Sequence, residues 1–234
     1  GRTARKHIDD ARGQLARALD VGPQQIVFNS GATEGNNTIL SGFAGKRVLV
    51  SAIEHASVIE SGVAAELIPV TADGIVDTDA FKRMQFAGDK PARVSVMLVN
   101  NETGVIQPLR EIAALAKEAG ALIHTDAVQA FGRIPFTRES LGVDFITLSA
   151  HKLGGPQGIG AIIMAPKAPL PKLVRGGGQE RRQRAGTENV AGIAAFGVAA
   201  ELAAQGIEDY QKTATQRDAL ADYLLSTTNS LHIH

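Results

Sequence analysis

The 234-residue sequence contains no cysteine. These residues therefore supply no disulfide, no thiolate metal ligand and no thiol nucleophile. Neither sign of charge is in excess, with 24 Lys and Arg residues against 24 Asp and Glu residues, and no basic block stands out. That balance argues against general electrostatic attraction to nucleic acid or to a membrane surface. No apolar run approaches the roughly 18 residues that a membrane-spanning helix needs.

An initiator methionine is also missing, and residues 1–10 are charged and already helical in pattern. A secretory signal peptide has a different pattern, with an uncharged apolar centre. We therefore expect a soluble cytoplasmic protein, and a chain that is part of something longer. The length is sufficient for one large domain with a substantial core.

What the sequence does contain is an alternation of short apolar runs with helical patterns. Strands are predicted at residues 25–28, 47–51, 67–70, 94–99, 121–125, 145–148 and 159–164. Helices are predicted at 3–20, around 38–40, and at 77–86, 108–119, 190–204 and 213–231, the last being amphipathic through Leu220, Tyr223, Leu224 and Leu231. The alternation predicts an α/β fold with an open sheet.

Lys152 lies between two of the predicted strands, in a polar segment that begins at Ser149. Such a segment belongs at the edge of a sheet beside a core, where a lysine is partly desolvated. Desolvation favours the neutral amine, which can form a Schiff base with an aldehyde. The glycines at 154, 155, 158 and 160 leave room for a flat ring near the backbone. The alternative is a surface turn with a solvated lysine.

Residues 29–37 form a turn of small residues between a predicted strand and a predicted helix. Backbone N–H groups, the positive end of a helix and the hydroxyl of Thr33 together suit a phosphate. An ordinary helix cap by Ser30 or Thr33 is the alternative. The glycine-rich basic loop at 175–189 has two interpretations as well, a flexible solvated loop or an ordered anion clamp.

His55 and Asp126 each follow a predicted strand. In an open α/β sheet the carboxyl ends of the strands form the edge where ligands bind. A carboxylate at that edge can cap the next helix, or it can hold the proton on a pyridine nitrogen and make the ring a better electron sink. His55 alone could equally be a capping or packing residue.

Six blocks, taken in order, make the chain resemble the cysteine desulfurases of the class V aminotransferase group, which bind pyridoxal phosphate (PLP). They are Ser-Gly-Ala-Thr-Glu at 30–34, Glu-His at 54–55, Val-Asn-Asn-Glu-Thr-Gly at 99–104, His-Thr-Asp-Ala-Val-Gln at 124–129, Ser-Ala-His-Lys at 149–152, and Gly-Gly-Gly-Gln-Glu-Arg at 176–181 with Arg-Ala-Gly-Thr at 184–187. The resemblance implies the large domain of a type I PLP-dependent fold, with a mostly parallel central sheet and helices on both faces. Residues 1–210 would form this domain, and 211–234 a helix leading toward a small C-terminal domain outside the chain.

The resemblance also implies a role for each site residue. Lys152 would bind the cofactor aldehyde covalently and move protons at the substrate's α-carbon, while His55 would stack on the ring and assist proton transfer. The other expected contacts are Asp126 to the ring nitrogen, Gln129 and Asn101 to the phenolic oxygen, and Ala32, Thr33, Ser149 and His151 to the phosphate. Thr187 would reach the phosphate of a second subunit, which implies a homodimer.

The implied reaction removes sulfur from L-cysteine to give L-alanine and an enzyme persulfide, which a sulfur-acceptor or scaffold protein would take for iron–sulfur cluster or other cofactor assembly. The nucleophilic cysteine and the arginine that binds the substrate carboxylate would lie outside these residues. Two alternatives stay open. One is another PLP enzyme of the same group, such as a selenocysteine lyase; the other is a catalytically silent domain used for dimerisation or docking.

Overall fold

A computed structural model describes residues 1–228 of the chain. Its strands form one sheet in the order β1-β7-β6-β5-β4-β2-β3. They are β1 (Ile26–Asn29), β2 (Val48–Ser51), β3 (Glu66–Ile68), β4 (Arg93–Ser95), β5 (Leu122–Asp126), β6 (Phe145–Ser149) and β7 (Gly160–Met164). Strands β2 to β6 run parallel, and β7 lies antiparallel between β1 and β6. The predicted α/β fold with a mostly parallel sheet is confirmed.

Helices cover both faces of the sheet. They are α1 (Arg2–Leu19), α2 (Ala32–Ser41), α3 (Ala56–Ile59), α4 (Thr78–Phe86), α5 (Leu109–Glu118), α6 (Arg138–Leu141), α7 (Gln179–Arg182), α8 (Val190–Gln205), α9 (Ile207–Gln211) and α10 (Thr213–Thr227). Successive residues of a strand point to opposite faces. Accordingly Ile163 of β7 packs with α1, α5 and α8 in the largest apolar cluster, whereas Ile162 packs under α2 with Ile39.

The fourth strand is shorter than the sequence predicts. Regular pairing with β2 stops at Ser95, although Val96 and Leu98 still donate backbone hydrogen bonds to β5. The reason lies at Met97, whose N–H donates to the side chain of Glu54 instead of to a neighbouring strand. The prediction of a strand through 99 was therefore wrong, and an irregular segment carries the chain to Asn101.

The C-terminal helix also differs from its prediction. Leu220, Tyr223 and Leu224 are exposed in α10, and the helix buries no residue. Leu231 lies outside the described residues, so the expectation there stays a prediction, as does the domain boundary at 210. Within residues 1–228 no single helix is long and apolar enough to cross a membrane; only the pair 190–205 with 207–227, bent by 59°, passes by length and composition.

Candidate active site

A cavity of about 290 Å³ opens at the carboxyl edge of the sheet, between the ends of β2, β4, β5 and β6. Its size is close to the lower end of small-molecule sites, roughly 300 Å³. Every predicted site residue except Thr187 lines it. The lining residues are Ala32, Thr33, His55, Ser57, Met97, Asn101, Asp126, Val128, Gln129, Ser149, His151 and Lys152.

One end of the pocket is built from the start of α2 and the end of β6. The backbone N–H of Ala32 donates to Ser149 Oγ at 3.0 Å, which leaves the serine hydrogen to donate outward. The next N–H groups of the first turn have no intrahelical partner. Gly31 precedes them with φ 150° and ψ 174°, a conformation that glycine alone adopts readily, and a Cβ there would lie 3.4 Å from Ser149 Oγ. This end offers donors to an anion.

Asp126 closes the floor of the pocket with a carboxylate that is only 6% exposed. Its Oδ2 accepts a hydrogen bond from Asn36 Nδ2 at 2.8 Å, and its Oδ1 accepts one from Val128 N at 3.0 Å. Burial raises the pKa of Asp126 above its usual value, while these two hydrogen bonds and the nearby His55 oppose the shift. A cationic N–H group in the pocket would complete the shell of this carboxylate.

His55 caps α3 and presents an exposed ring to the pocket. Its Nδ1 accepts from Ser57 N at 3.1 Å and lies 2.8 Å from Ser57 Oγ. Because a backbone N–H can only donate, Nδ1 is the acceptor nitrogen and the neutral ring carries its proton on Nε2. The exposed imidazole is a flat surface on which an aromatic ring can stack.

Lys152 lies at the rim of the same pocket, in a 3₁₀ turn, Ala150–Leu153, that directly follows β6. The lysine side chain is exposed, so the expectation that it is partly desolvated was wrong. The cause is local, because the turn carries Lys152 beyond the end of the strand and away from the core. The predicted pairing of Lys152 and Asp126 across one cavity is nevertheless present.

A family model described as "Aminotransferase class-V" matches residues 1–233. The chain belongs to this family. Among curated relatives of this class V chain, the cysteine desulfurase IscS of Dictyoglomus turgidum is 39% identical over 96% of the chain, and a cysteine desulfurase of Gluconacetobacter diazotrophicus is 44% identical over 93%. The chain spans 59% and 58% of the length of these two relatives.

Solved structures agree with the family. The NifS-like protein of Rickettsia africae has a TM-score of 0.91 and 37% identity, covering 97% of this chain and 65% of its own. SspA, solved in complex with cysteine, has a TM-score of 0.79 and 32% identity, covering 86% of this chain and 61% of its own. This class V chain therefore shares its fold with a NifS-like protein.

Proteins of this kind depend on PLP, and the donor set of the pocket fits the three parts of that molecule. The N–H and hydroxyl donors around Ala32, Thr33 and Ser149 suit the phosphate. The buried carboxylate of Asp126 suits a protonated ring nitrogen, and the amine of Lys152 suits the aldehyde. The expectation that these residues bind the cofactor stays a prediction, now with a matching geometry.

Several residues of the site were not predicted from the sequence. Ser57, Met97 and Val128 line the pocket, and Asn36 holds Asp126 from α2. Beneath them lies Glu54, whose Oε1 accepts from Ser51 Oγ at 2.8 Å. Burial raises the pKa of Glu54 to about 8, with Asp126 adding to the shift, so Glu54 is neutral at pH 7. The usable signal was the pattern of α2, whose inner face places asparagine among apolar residues.

Two charged residues of the glycine-rich basic loop form ion pairs with other parts of the chain. Glu180 forms a buried two-bond ion pair with Arg12, at 2.7 and 3.0 Å, and Arg184 pairs in the same way with Glu34, at 2.8 and 3.1 Å. Arg184 is thus not free to clamp an anion in this chain. Thr187 lies outside the main pocket, exposed in a second cavity of about 190 Å³.

Proposed function

We propose that this chain is the cofactor-binding part of a PLP-dependent cysteine desulfurase that acts on L-cysteine. One observation carries the proposal: a single pocket brings together a buried carboxylate at Asp126, a lysine amine at Lys152 and a cluster of anion donors at the start of α2. The names of the curated relatives support the reaction, and the complex of SspA with cysteine supports the substrate.

When bound, the cofactor supplies an electron sink that makes the α-carbon of an amino acid acidic. The chain's own residues provide the rest. Asp126 would hold the ring nitrogen in its protonated form, His55 would cover the ring, and Lys152 would move the proton at the substrate's α-carbon. Gln129 and Asn101 would hold the phenolic oxygen of the ring.

The sulfur leaves the substrate for a thiol that these 234 residues do not supply, since they contain no cysteine. A thiolate attacks the substrate sulfur, and the electron pair of the carbon–sulfur bond stays with the carbon. Protonation of that carbon then leads to L-alanine. The sulfur remains on the attacking thiol as a persulfide, from which a sulfur-acceptor protein can take it for iron–sulfur cluster or other cofactor assembly.

The site also points to a homodimer. Thr187 is exposed and does not line the chain's own pocket, which suits a role at the cofactor phosphate of a second copy. Removing its hydroxyl in Thr187→Val should weaken cofactor binding only in the dimer. Cofactor titrations above and below the dimer's dissociation concentration, measured by sedimentation, test this arrangement.

The activity is tested by adding L-cysteine to the PLP-loaded chain and recording the visible absorbance of the cofactor. We expect a rapid spectral change with L-cysteine in the wild-type chain and none in Lys152→Ala. Sulfide should not form at enzymatic rates unless a nucleophilic thiol from outside this chain is present. Rapid sulfide release by the cysteine-free chain alone would contradict the mechanism, and a silent spectrum would favour a catalytically inactive domain.

A further inference from the structure

A row of buried polar side chains runs beneath the pocket, on the face of the sheet that α2 covers. Ser95, His124, Thr147 and Asn36 are all fully buried. Each is within hydrogen-bond distance of the next: Ser95 Oγ to His124 Nδ1 at 2.8 Å, His124 Nε2 to Thr147 Oγ1 at 3.4 Å, and Thr147 Oγ1 to Asn36 Oδ1 at 2.6 Å. The row ends where Asn36 Nδ2 meets Asp126 Oδ2 at 2.8 Å.

The carboxylate of Asp126 fixes the direction of every bond in this row. A carboxylate only accepts, so Asn36 turns its NH₂ group toward Asp126 and its Oδ1 toward Thr147. The Thr147 hydroxyl therefore donates to Asn36 and accepts from His124 Nε2. Burial lowers the pKa of His124 to about 3, so the imidazole is neutral and its Nδ1 accepts from Ser95. All four polar groups are thus satisfied in one orientation.

A second branch leaves the same asparagine toward His55. The other hydrogen of Asn36 Nδ2 is donated to Ser57 Oγ at 2.9 Å. Since Ser57 Oγ accepts this bond, its own hydrogen is available to His55 Nδ1, 2.8 Å away. One amide group therefore contacts the partner of His55 and the carboxylate of Asp126 at the same time.

We propose that Asn36 is a positioning residue that joins Asp126 and His55 into one hydrogen-bonded unit, directing one amide hydrogen to the carboxylate and the other to Ser57, which in turn holds Nδ1 of His55 as the acceptor nitrogen. The inference deepens the proposed function, in which these two side chains contact the cofactor ring. It assigns His55 the role of an Nε2–H donor and stacking surface, because Ser57 already occupies the acceptor lone pair on Nδ1.

The neighbouring Gly35 explains how Asn36 reaches the row. A Cβ at Gly35 would lie 2.8 Å from Thr147 Cγ2, closer than real Cβ contacts come. Helix α2 therefore lies directly against β6, which brings Asn36 within reach of Thr147. Asn37 provides a contrast, since among residues 1–228 its Nδ2 donates to the backbone oxygen of Ser57, at 2.8 Å, and to no side chain.

The two asparagines allow a charge-matched test in Asn36→Asp and Asn37→Asp. A carboxyl group at 36 would share a proton with Asp126, as paired carboxyls do, whereas one at 37 would not touch it. In the cofactor-free chain, the ¹³C carboxyl signal of Asp126, assigned with Asp126→Asn, should titrate at least about one pH unit higher in Asn36→Asp, which is a tenfold change in proton affinity. Asn37→Asp should leave it nearly unchanged.

The other groups that face Asp126 remain constant across these variants. His55 approaches from the start of α3, Glu54 from the turn before it, and His151 and Lys152 from the 3₁₀ turn after β6. A difference between the two aspartate variants therefore reports the contact at position 36. In the PLP-loaded chain, we expect cofactor affinity to fall more than tenfold in Asn36→Asp and less than about threefold in Asn37→Asp.

Two further variants keep the test decisive if Asn36→Asp does not fold. Asn36→Ala should raise the titration of Asp126 by a smaller step, and Ser57→Ala should shift the His55 ring ¹⁵N signals while leaving Asp126 unchanged. Equal Asp126 titration in Asn36→Asp, Asn36→Ala and Asn37→Asp would overturn the proposal. Because this titration needs no cofactor, it separates failure of this inference from failure of the proposed function, which would show as a wild-type chain that does not bind PLP.

Discussion

Two charged side chains are buried in this sheet, one at the amino end of a parallel strand and one at the carboxyl end, and they differ in their hydrogen bonding. Asp126 at the carboxyl edge has a hydrogen bond to each carboxylate oxygen. Arg93, at the start of β4, is fully buried, and none of its guanidinium nitrogens has a hydrogen-bond partner among residues 1–228. Its guanidinium instead lies between the rings of Phe43 and Phe145, 4.1 and 4.4 Å from their centroids.

The difference separates a buried charge that is positioned by hydrogen bonds from one that is only packed between aromatic rings. Burial lowers the pKa of Arg93 to about 9 while the charge of Asp144 opposes the shift, so the group stays cationic at pH 7 between two aromatic rings. Burial also raises the pKa of Asp126, but hydrogen bonds from Asn36 and Val128 oppose that shift. The edge with directed donors is the one that holds the pocket.

A third buried charge extends the comparison, because Glu180 has a full set of partners but lies outside the pocket. It accepts two bonds from Arg12 and one from Phe28 N at 2.9 Å. It lies in a segment of three consecutive residues, Glu180, Arg181 and Arg182, with left-handed backbone conformations at φ of 43°, 54° and 66°. Its partners therefore serve the fold and the shape of the loop.

The largest effect on stability should come from removing the Glu180 carboxylate. Glu180→Ala leaves Arg12 buried and uncompensated, which typically costs about 3–5 kcal/mol of unfolding free energy. Urea unfolding of the cofactor-free chain measures it. Arg5→Ala, which removes an exposed pair with Asp9, is the matched control and should change stability by less than about 0.5 kcal/mol. Similar losses in both variants would show that burial does not decide the difference.

Asp126→Asn should weaken PLP binding more than it changes folding stability. Replacing a buried charge that pairs with a cation costs binding by roughly 3 kcal/mol, about a hundredfold in the dissociation constant of PLP. Stability without cofactor should change little, because the substitution removes a buried charge while the remaining side-chain oxygen can still accept one of the two hydrogen bonds. A fluorescence titration with PLP measures the affinity, and an unchanged constant would remove Asp126 from the site.

The raised pKa of Glu54 predicts that the free energy of unfolding depends on pH. Its folded pKa of about 8 lies above the ordinary value of 4.5, so the folded chain binds more protons between those values and stability falls as pH rises through them. Glu54→Gln mimics the neutral form and should remove that fall. We expect the variant to match the wild type near pH 5 and exceed it by about 2–4 kcal/mol at pH 8. Parallel pH profiles would contradict a neutral Glu54.

Arg93→Met should give the smallest effect, and in the opposite direction from Glu180→Ala. An apolar side chain of similar length removes an unpaired charge and keeps the packing between the rings, so stability should rise by about 1–2 kcal/mol at pH 7. Thermal unfolding measures the change. A strong loss of stability would mean that stacking on Phe43 and Phe145 outweighs the cost of burying the guanidinium.

The strand ends and the residues that follow them could be predicted from the sequence, because a short apolar run stops where polar side chains begin. His55, Asp126 and Ser149 were located in this way, and the structure brings them to one cavity. The family resemblance added the roles, including those of Asn101 and Gln129.

The supporting polar layer could not be predicted, because it depends on contacts between distant strands. Asn36 and Thr147 are 111 positions apart and become partners only when α2 packs on β6. The exposure of the Lys152 side chain could not be predicted either, because Lys152 follows an apolar strand but leaves the core within one turn. Arg93 looks like an ordinary polar boundary of a strand, and nothing local to it reveals the rings that cover it.

The central claim is that the amine of Lys152 and the carboxylate of Asp126 share one PLP molecule. Borohydride reduction of the PLP-loaded chain, followed by peptide mass mapping, tests it most directly. We predict a pyridoxyl label on the peptide that carries Lys152, absent in Lys152→Ala, weakened in Asp126→Asn and unchanged in Lys167→Ala, an exposed control. A label spread over surface lysines, or none on Lys152, would contradict it.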